Sequence, residues 1–533
     1  MGRILAVLAV LLLAAGCGRR ETPVAAASRE GVLLRGNAAE PESLDPQLVR
    51  GAVEWTIVGG LFEGLVAPYP GAAGPQPGVA ERWEVAPDGR RHVFHLRADA
   101  RWSDGRPVTA ADFEYAARRL LAPRLGAAHA ENTLLFLRGA RDHLTGRTTD
   151  FRTVGIVARD ARTLELEAER PTPFLLSALT LFFPVPAHVV ERHGAMDDRA
   201  NGWARPGRLV GNGPFRLREW RPHQGVTLER NPGYWDAGAV RLREVRFLPI
   251  EQAAAEEAAF RAGQLHLTST VPLGKLEALE RDPAGPLRTA EDRGIYFYAL
   301  NVRRPPLDDV RVRRALALAV DREALARRVL RGGREPATHF TPPGTGGHRA
   351  RARLGHDPEQ ARALLAAAGF PGGRGWPGLE LLVDAREHHR VVAEAVQQMW
   401  RRELGVEVRL RQEETQVLNA SKRTMDFQLV RGSWNATAYD DPHYFLGAWR
   451  TGGLYNEAGW SHPAYDAEVE RTWTTDAAAR AAAWQRAEEI LLAEVPAIPL
   501  FFSAQVFLLH PAVRGWEPRP FADRRLKELW LQP

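Results

Sequence analysis

The feature that most limits this chain is its only cysteine, Cys17, which closes a short apolar run at the amino terminus of a 533-residue sequence. Everything behind it must fold without an internal disulfide and without a zinc site built from several thiolates. Met1-Gly2-Arg3 supplies a basic start, residues 4–15 are apolar, and Ala14-Ala15-Gly16 lead into the cysteine. About a dozen apolar residues are too few to span a bilayer but suit the hydrophobic region of an export signal. No later stretch is long and apolar enough to cross a membrane.

The rest has the composition of a water-soluble globular protein, with 45% hydrophobic and 26% charged residues. Its length is enough for two to four domains. A net charge of +6 spread over the whole chain, with arginines and acids intermixed, gives no basic run of the kind that binds nucleic acid. From Val32 onward strand and helix signals alternate, as in an α/β protein. The runs 92–96, 163–166 and 225–228 have the two-residue period of strands. A helix is expected from Asp308-Asp309 to Gly332-Gly333. A second starts at Asp357-Pro358, with a cap and a proline in the first turn, and stops at Gly369. A third spans about 387–404 and feeds a strand at 406–410.

Several motifs then occur in a fixed order. They are Ser43-Leu44-Asp45-Pro46, Trp102-Ser103-Asp104-Gly105, Gly211-Asn212-Gly213-Pro214-Phe215, Asn231-Pro232-Gly233-Tyr234-Trp235 and Arg311-Val312-Arg313-Arg314-Ala315-Leu316. In this order the chain resembles the oligopeptide- and dipeptide-binding family of extracellular solute receptors that serve ABC importers. The resemblance implies a two-lobed α/β periplasmic-binding-protein fold of type II, cluster C, with an extra inserted domain and a ligand cleft between the lobes. It places a discontinuous first lobe at 18–60, 185–290 and 505–533, the extra domain at 61–184 and the second lobe at 291–504. The amino terminus resembles a bacterial lipoprotein signal over 1–17 with Cys17 as the lipidated residue, followed by a flexible tether over 18–30.

The same resemblance implies a peptide ligand held extended between the lobes, pairing its backbone with two segments of the protein. These are Arg50-Gly51-Ala52 and the stretch from Arg431 through Gly432, Trp434, Asn435, Ala436, Thr437 and Tyr439 to Asp440. Ser269 stands at a further ligand-contacting position. Arg431 and Lys422 are expected to meet a ligand carboxylate. Peptide receptors of the family place an aspartate between the tryptophan and the tyrosine of the second segment, facing the peptide's ammonium; Thr437-Ala438 stand there instead. Two readings stay open: Asp440 or Asp441 takes the aspartate's place, or the ligand has no free ammonium.

The implied partners are a peptide, the permease and ATPase subunits of an importer, and a membrane reached through the lipid anchor, with the receptor acting as a monomer. The alternatives are a receptor of the same fold for a metal complex, haem or sugar, and a secreted peptide hydrolase. No cofactor, metal ion or enzymatic activity is expected. Gly344-Thr345-Gly346-Gly347 lacks the lysine of a phosphate loop, no Gly-x-Ser-x-Gly elbow occurs, and His388-His389 lack metal-ligand spacing and read as a solvated pair.

Overall fold

The computed structural model describes residues 21–49, 51–67, 74–127, 129–436, 439–453, 455–518 and 526–533. Cys17, Arg50, Thr437 and Ala438 lie outside the described residues. Two lobes are built on three main sheets. In the first lobe the strands Val32–Gly36, Glu244–Leu248, Gly225–Arg230 and Phe215–Arg221 lie side by side in that order, the first pair parallel and the others antiparallel. An antiparallel sheet of Ala80–Val85, Arg91–Leu96, Thr163–Glu167 and Ile156–Ala158 belongs to the inserted segment. One apolar core runs through both, joining Leu33 and Phe247 to Phe62, Phe94, Phe113 and Trp203. Burial on this scale binds the inserted segment to the first lobe as one packed body.

The second lobe is a six-stranded mixed sheet in the order Glu335–Pro336, Ala497–Leu508, Leu287–Leu300, Leu429–Asn435, Leu379–Asp384, Val408–Glu413. Side chains alternate across a strand, so the sheet needs apolar cover on both faces. Tyr296, Tyr298 and Leu300 join one core, whereas Ile295, Phe297 and Ala299 join the other. The central strands Leu287–Leu300 and Ala497–Leu508 pair along nearly their whole length, with the register slipping between Glu291 and Ile295. Glu291 sits opposite Ala504 at this irregularity.

Local rules explain most elements. Asp357 accepts a hydrogen bond from the Gln360 N–H at 2.9 Å and opens the helix Pro358–Ala367. The helix Glu387–Leu404 ends at Gly405 with φ of 69°. The helix expected from Asp308 to Gly332 is two pieces, Val310–Leu318 and a wide π-helical turn Ala324–Leu330. The break falls where the Asp321 carboxylate accepts from the Ala324 N–H at 2.9 Å and starts the second piece.

The expected flexible tether is corrected over Pro23–Glu30, which is a helix. Thr22 caps it, Pro23 takes the first turn, Gly31 closes it with φ of 68°, and Val24 and Ala27 are buried. The glycine-rich motif at 211–214 is a close backbone approach. The Asn212 side chain accepts from the Glu63 N–H at 3.0 Å and donates to the Glu63 carbonyl at 2.8 Å. A Cβ on Gly211 would stand 2.2 Å from the Leu61 carbonyl oxygen, which is why glycine flanks the asparagine.

Candidate functional site

Strand alternation divides the expected ligand segment. Arg431 lies opposite Tyr298, Gly432 opposite Phe297 and Trp434 opposite Ile295, so Arg431 stands on one face of the sheet and Gly432 and Trp434 on the other. Arg431 forms an ion pair with Asp384, which ends the Leu379–Asp384 strand and is fully buried. Asp384 also lies 3.5 Å from His389 Nε2 and 3.9 Å from Arg386 Nε. Lys422 Nζ is 3.0 Å from Glu457. Burial pushes the Lys422 ammonium below its ordinary pKa while Glu457 opposes the shift. The two cations expected to meet a ligand carboxylate thus each hold a carboxylate of the protein.

His388 and His389 are not a solvated pair. The His389 ring stacks on Tyr296 at 5.4 Å between centroids, with Nδ1 3.0 Å from the phenol oxygen. The start of the Glu387–Leu404 helix turns His389 toward the sheet, and the ring of the half-buried His388 lies 3.7 Å from it between centroids. Burial, then Arg431, drives the His389 pKa far down; burial, then Arg386 and Arg334, takes His388 to about 4. Both imidazoles are neutral near pH 7. Among the described residues, no group of three or more His, Cys, Asp or Glu could hold a metal ion.

Gly51 and Ala52 lie at the start of a helix rather than in a strand. Gly51 precedes and Ala52 begins the helix Ala52–Leu61, and the Gly51 N–H is taken by the Glu54 carboxylate at 3.1 Å. A glutamate three residues past the cap favours helix over extended chain. Ser269 donates from its hydroxyl (2.7 Å) and its N–H (2.9 Å) to the buried Glu256 carboxylate, so its polar groups hold a turn. Trp434 packs among Phe297, Phe340 and Trp449. Asn435 lies opposite Gly294, and the Ala436 N–H donates to the Arg293 carbonyl at 2.6 Å.

Tyr439 and Asp440 reach across to the inserted segment. Tyr439 is buried against Phe174, and the Asp440 N–H donates to Ser177 Oγ at 2.9 Å. The Asp440 carboxylate accepts from the Gly346 N–H at 3.1 Å and lies 3.7 Å from Arg293 Nε. Burial raises its pKa, and Arg293 opposes this. Asp441 pairs with Arg480 at 2.7 Å. Both aspartates that sequence offered for a ligand ammonium are committed within the protein.

Sequence reasoning missed Asp384, Arg386, Arg334 and Tyr296, which lie 45 to 135 positions before Arg431 in order of sequence, well beyond any local motif. Three arginines and one aspartate act on His388, which makes this wall of the second lobe positive.

The family model for bacterial extracellular solute-binding proteins, family 5, matches residues 74–457. The chain belongs to this family. It is 36% identical to the probable deoxycholate-binding periplasmic protein YgiS of Escherichia coli, over 91% of this chain and 90% of that protein. The structure of the Escherichia coli murein tripeptide binding protein MppA superposes with a TM-score of 0.81 at 32% identity, covering 94% of this chain and 98% of that one. Haemophilus influenzae OppA in complex with RPPGFSPFR gives 0.79 at 31% identity, covering 94% and 99%. Family members are binding proteins. No helix among the described residues of this one is long and apolar enough to cross a membrane.

Proposed function

We propose that this family 5 protein is the solute-capturing subunit of an ABC importer, and that it closes on an elongated solute with no free ammonium group. The carrying observation is that Asp440 is held by Gly346 and Arg293 and Asp441 by Arg480, so neither carboxylate is free for an ammonium. A buried ammonium without a carboxylate partner is strongly disfavoured. Solutes of this kind include amino-blocked peptides and carboxylates such as deoxycholate, which the name of YgiS carries. Closure turns on the register slip between Glu291 and Ile295, with the first lobe and inserted segment moving as one body. In this reading the protein works as a monomer, lipid-anchored through Cys17 in the cell envelope, and hands its solute to a permease.

A second reading, capture of free-amine peptides, is favoured by the peptide ligands in the names of MppA and OppA. Calorimetry with N-acetylated and free-amine forms of one tripeptide, beside deoxycholate, separates the two. Free-amine peptide bound tighter than its acetylated form would overturn the first reading. Thr437→Asp should then tighten free-amine peptides selectively, by restoring the carboxylate that peptide receptors place there.

A further inference from the structure

Arg334 follows a turn in which three consecutive residues, Arg331, Gly332 and Gly333, take φ of 55°, 66° and 72°. Glycine accepts this left-handed conformation without strain, and the pair of glycines lets the chain double back from the π-helical turn to the edge strand Glu335–Pro336. The turn is fastened across the lobe boundary. The Gly332 N–H donates to Glu280 at 2.8 Å, and Arg331 pairs with Glu277 at 3.3 Å and Glu280 at 3.8 Å. Arg334 Nη1, Leu276 of the first-lobe helix Leu273–Glu280 and Val506 of the central strand all crowd the space beside Gly332. Arg334 therefore stands where the lobes meet, and its charge reaches His388 on the positive wall of the second lobe.

Its guanidinium is partly buried and makes one hydrogen bond among the described residues, from Nη1 to the Arg331 carbonyl at 3.1 Å. Burial alone displaces its pKa, downward, and no acidic group among the described residues offsets it. Glu277 and Glu280 are held by the turn, and Asp384 by Arg431. A partly buried guanidinium with one hydrogen bond keeps donors for a further partner, and its planar fork suits a carboxylate.

We infer that the missing partner is a carboxylate of the captured solute, and that Arg334, rather than Arg431 or Lys422, is the residue that selects for it. The inference rests on solute capture between the lobes, as proposed above, and adds the chemical group and its receptor. The carboxylate is either the terminus of a peptide or that of a non-peptide amphiphile, two sources with one chemistry.

The test uses two matched pairs by calorimetry on the mature protein: deoxycholate with its methyl ester, and an N-acetylated tripeptide with its carboxamide. The wild type should prefer the acid by about tenfold or more in at least one pair, since a charge-assisted hydrogen bond is lost with the neutral form. The pair that shows it identifies the source. Arg334→Gln should abolish the preference by weakening the acid far more than its neutral counterpart, and Arg334→Lys should retain part of it. Preference for the acid that survives Arg334→Gln overturns the inference, and so does a wild type that shows no acid preference in either pair, whether or not it binds. Tighter binding of the free-amine tripeptide than of its acetylated form would instead sink the reading that the solute has no free ammonium and leave the Arg334 comparison intact.

Discussion

The ring of Tyr439 lies 4.7 Å from that of Phe174 and only 17° from parallel, a stack that joins a loop of the second lobe to the inserted segment. Phe136, His443 and Trp473 pack around the same two rings. Together with the Asp440 to Ser177 hydrogen bond, this ties the inserted segment to the second lobe.

Removing the stack should therefore weaken closure more than it weakens the fold. An aromatic pair is worth about 1 kcal/mol beyond its area burial. Phe174→Ala should release solute several-fold faster and shift small-angle scattering of the liganded protein toward an open form. Unchanged release would show that the interface does not support closure.

Asp45 explains the early Ser-Leu-Asp-Pro motif. Its carboxylate accepts from Arg119 at 2.6 and 3.0 Å and from Trp203 Nε1 at 2.9 Å, and both Asp45 and Arg119 are buried. Asp45→Ala leaves the Arg119 charge without its carboxylate inside the core. The expected loss is about 3 kcal/mol or more, read as a lower urea midpoint.

Asp384 masks Arg431, and Asp384→Asn should unmask it. Two effects of opposite sign are expected: a fold weakened by loss of the buried ion pair, and tighter binding of carboxylate solutes as Arg431 becomes available. Calorimetry with deoxycholate, beside denaturant titration of the same variant, measures both. Weaker carboxylate binding would show that Asp384 positions Arg431 rather than masking it.

What sequence made legible was local. Asp357-Pro358 and Glu387 to Leu404 declare their helices through caps and periodicity, and the structure places those helices where expected. The contacts of the candidate site were not legible. Arg431 and Trp434 are three residues apart, yet strand alternation sends them to opposite faces. Arg431 finds Asp384 47 positions away and Lys422 finds Glu457 35 positions away, pairings that no spacing rule announces. The Pro23–Glu30 helix was missed although Thr22-Pro23 and Gly31 bracket it, because its small residues gave little apolar pattern.

That helix carries a pH dependence. The buried His266 accepts from the Leu34 N–H at its Nδ1 (3.0 Å), so Nε2 carries the proton and donates to Ser28 Oγ at 3.0 Å, whose hydroxyl donates to the Val24 carbonyl at 2.8 Å. Burial, then the neighbouring His510, lowers the His266 pKa from 6.5 to about 4. Below pH 6.5 the unfolded chain takes up a proton that the folded protein refuses, so stability falls as pH drops from 6.5 to about 4 and levels off beneath that. The shift corresponds to at most about 3 kcal/mol. Protonation at Nδ1 also ends the bond from Leu34, so hydrogen exchange in Pro23–Glu30 should accelerate across this window before the sheet amides follow. His266→Gln should flatten the acid limb of stability by up to one proton; an unchanged slope would mean that His266 does not govern it.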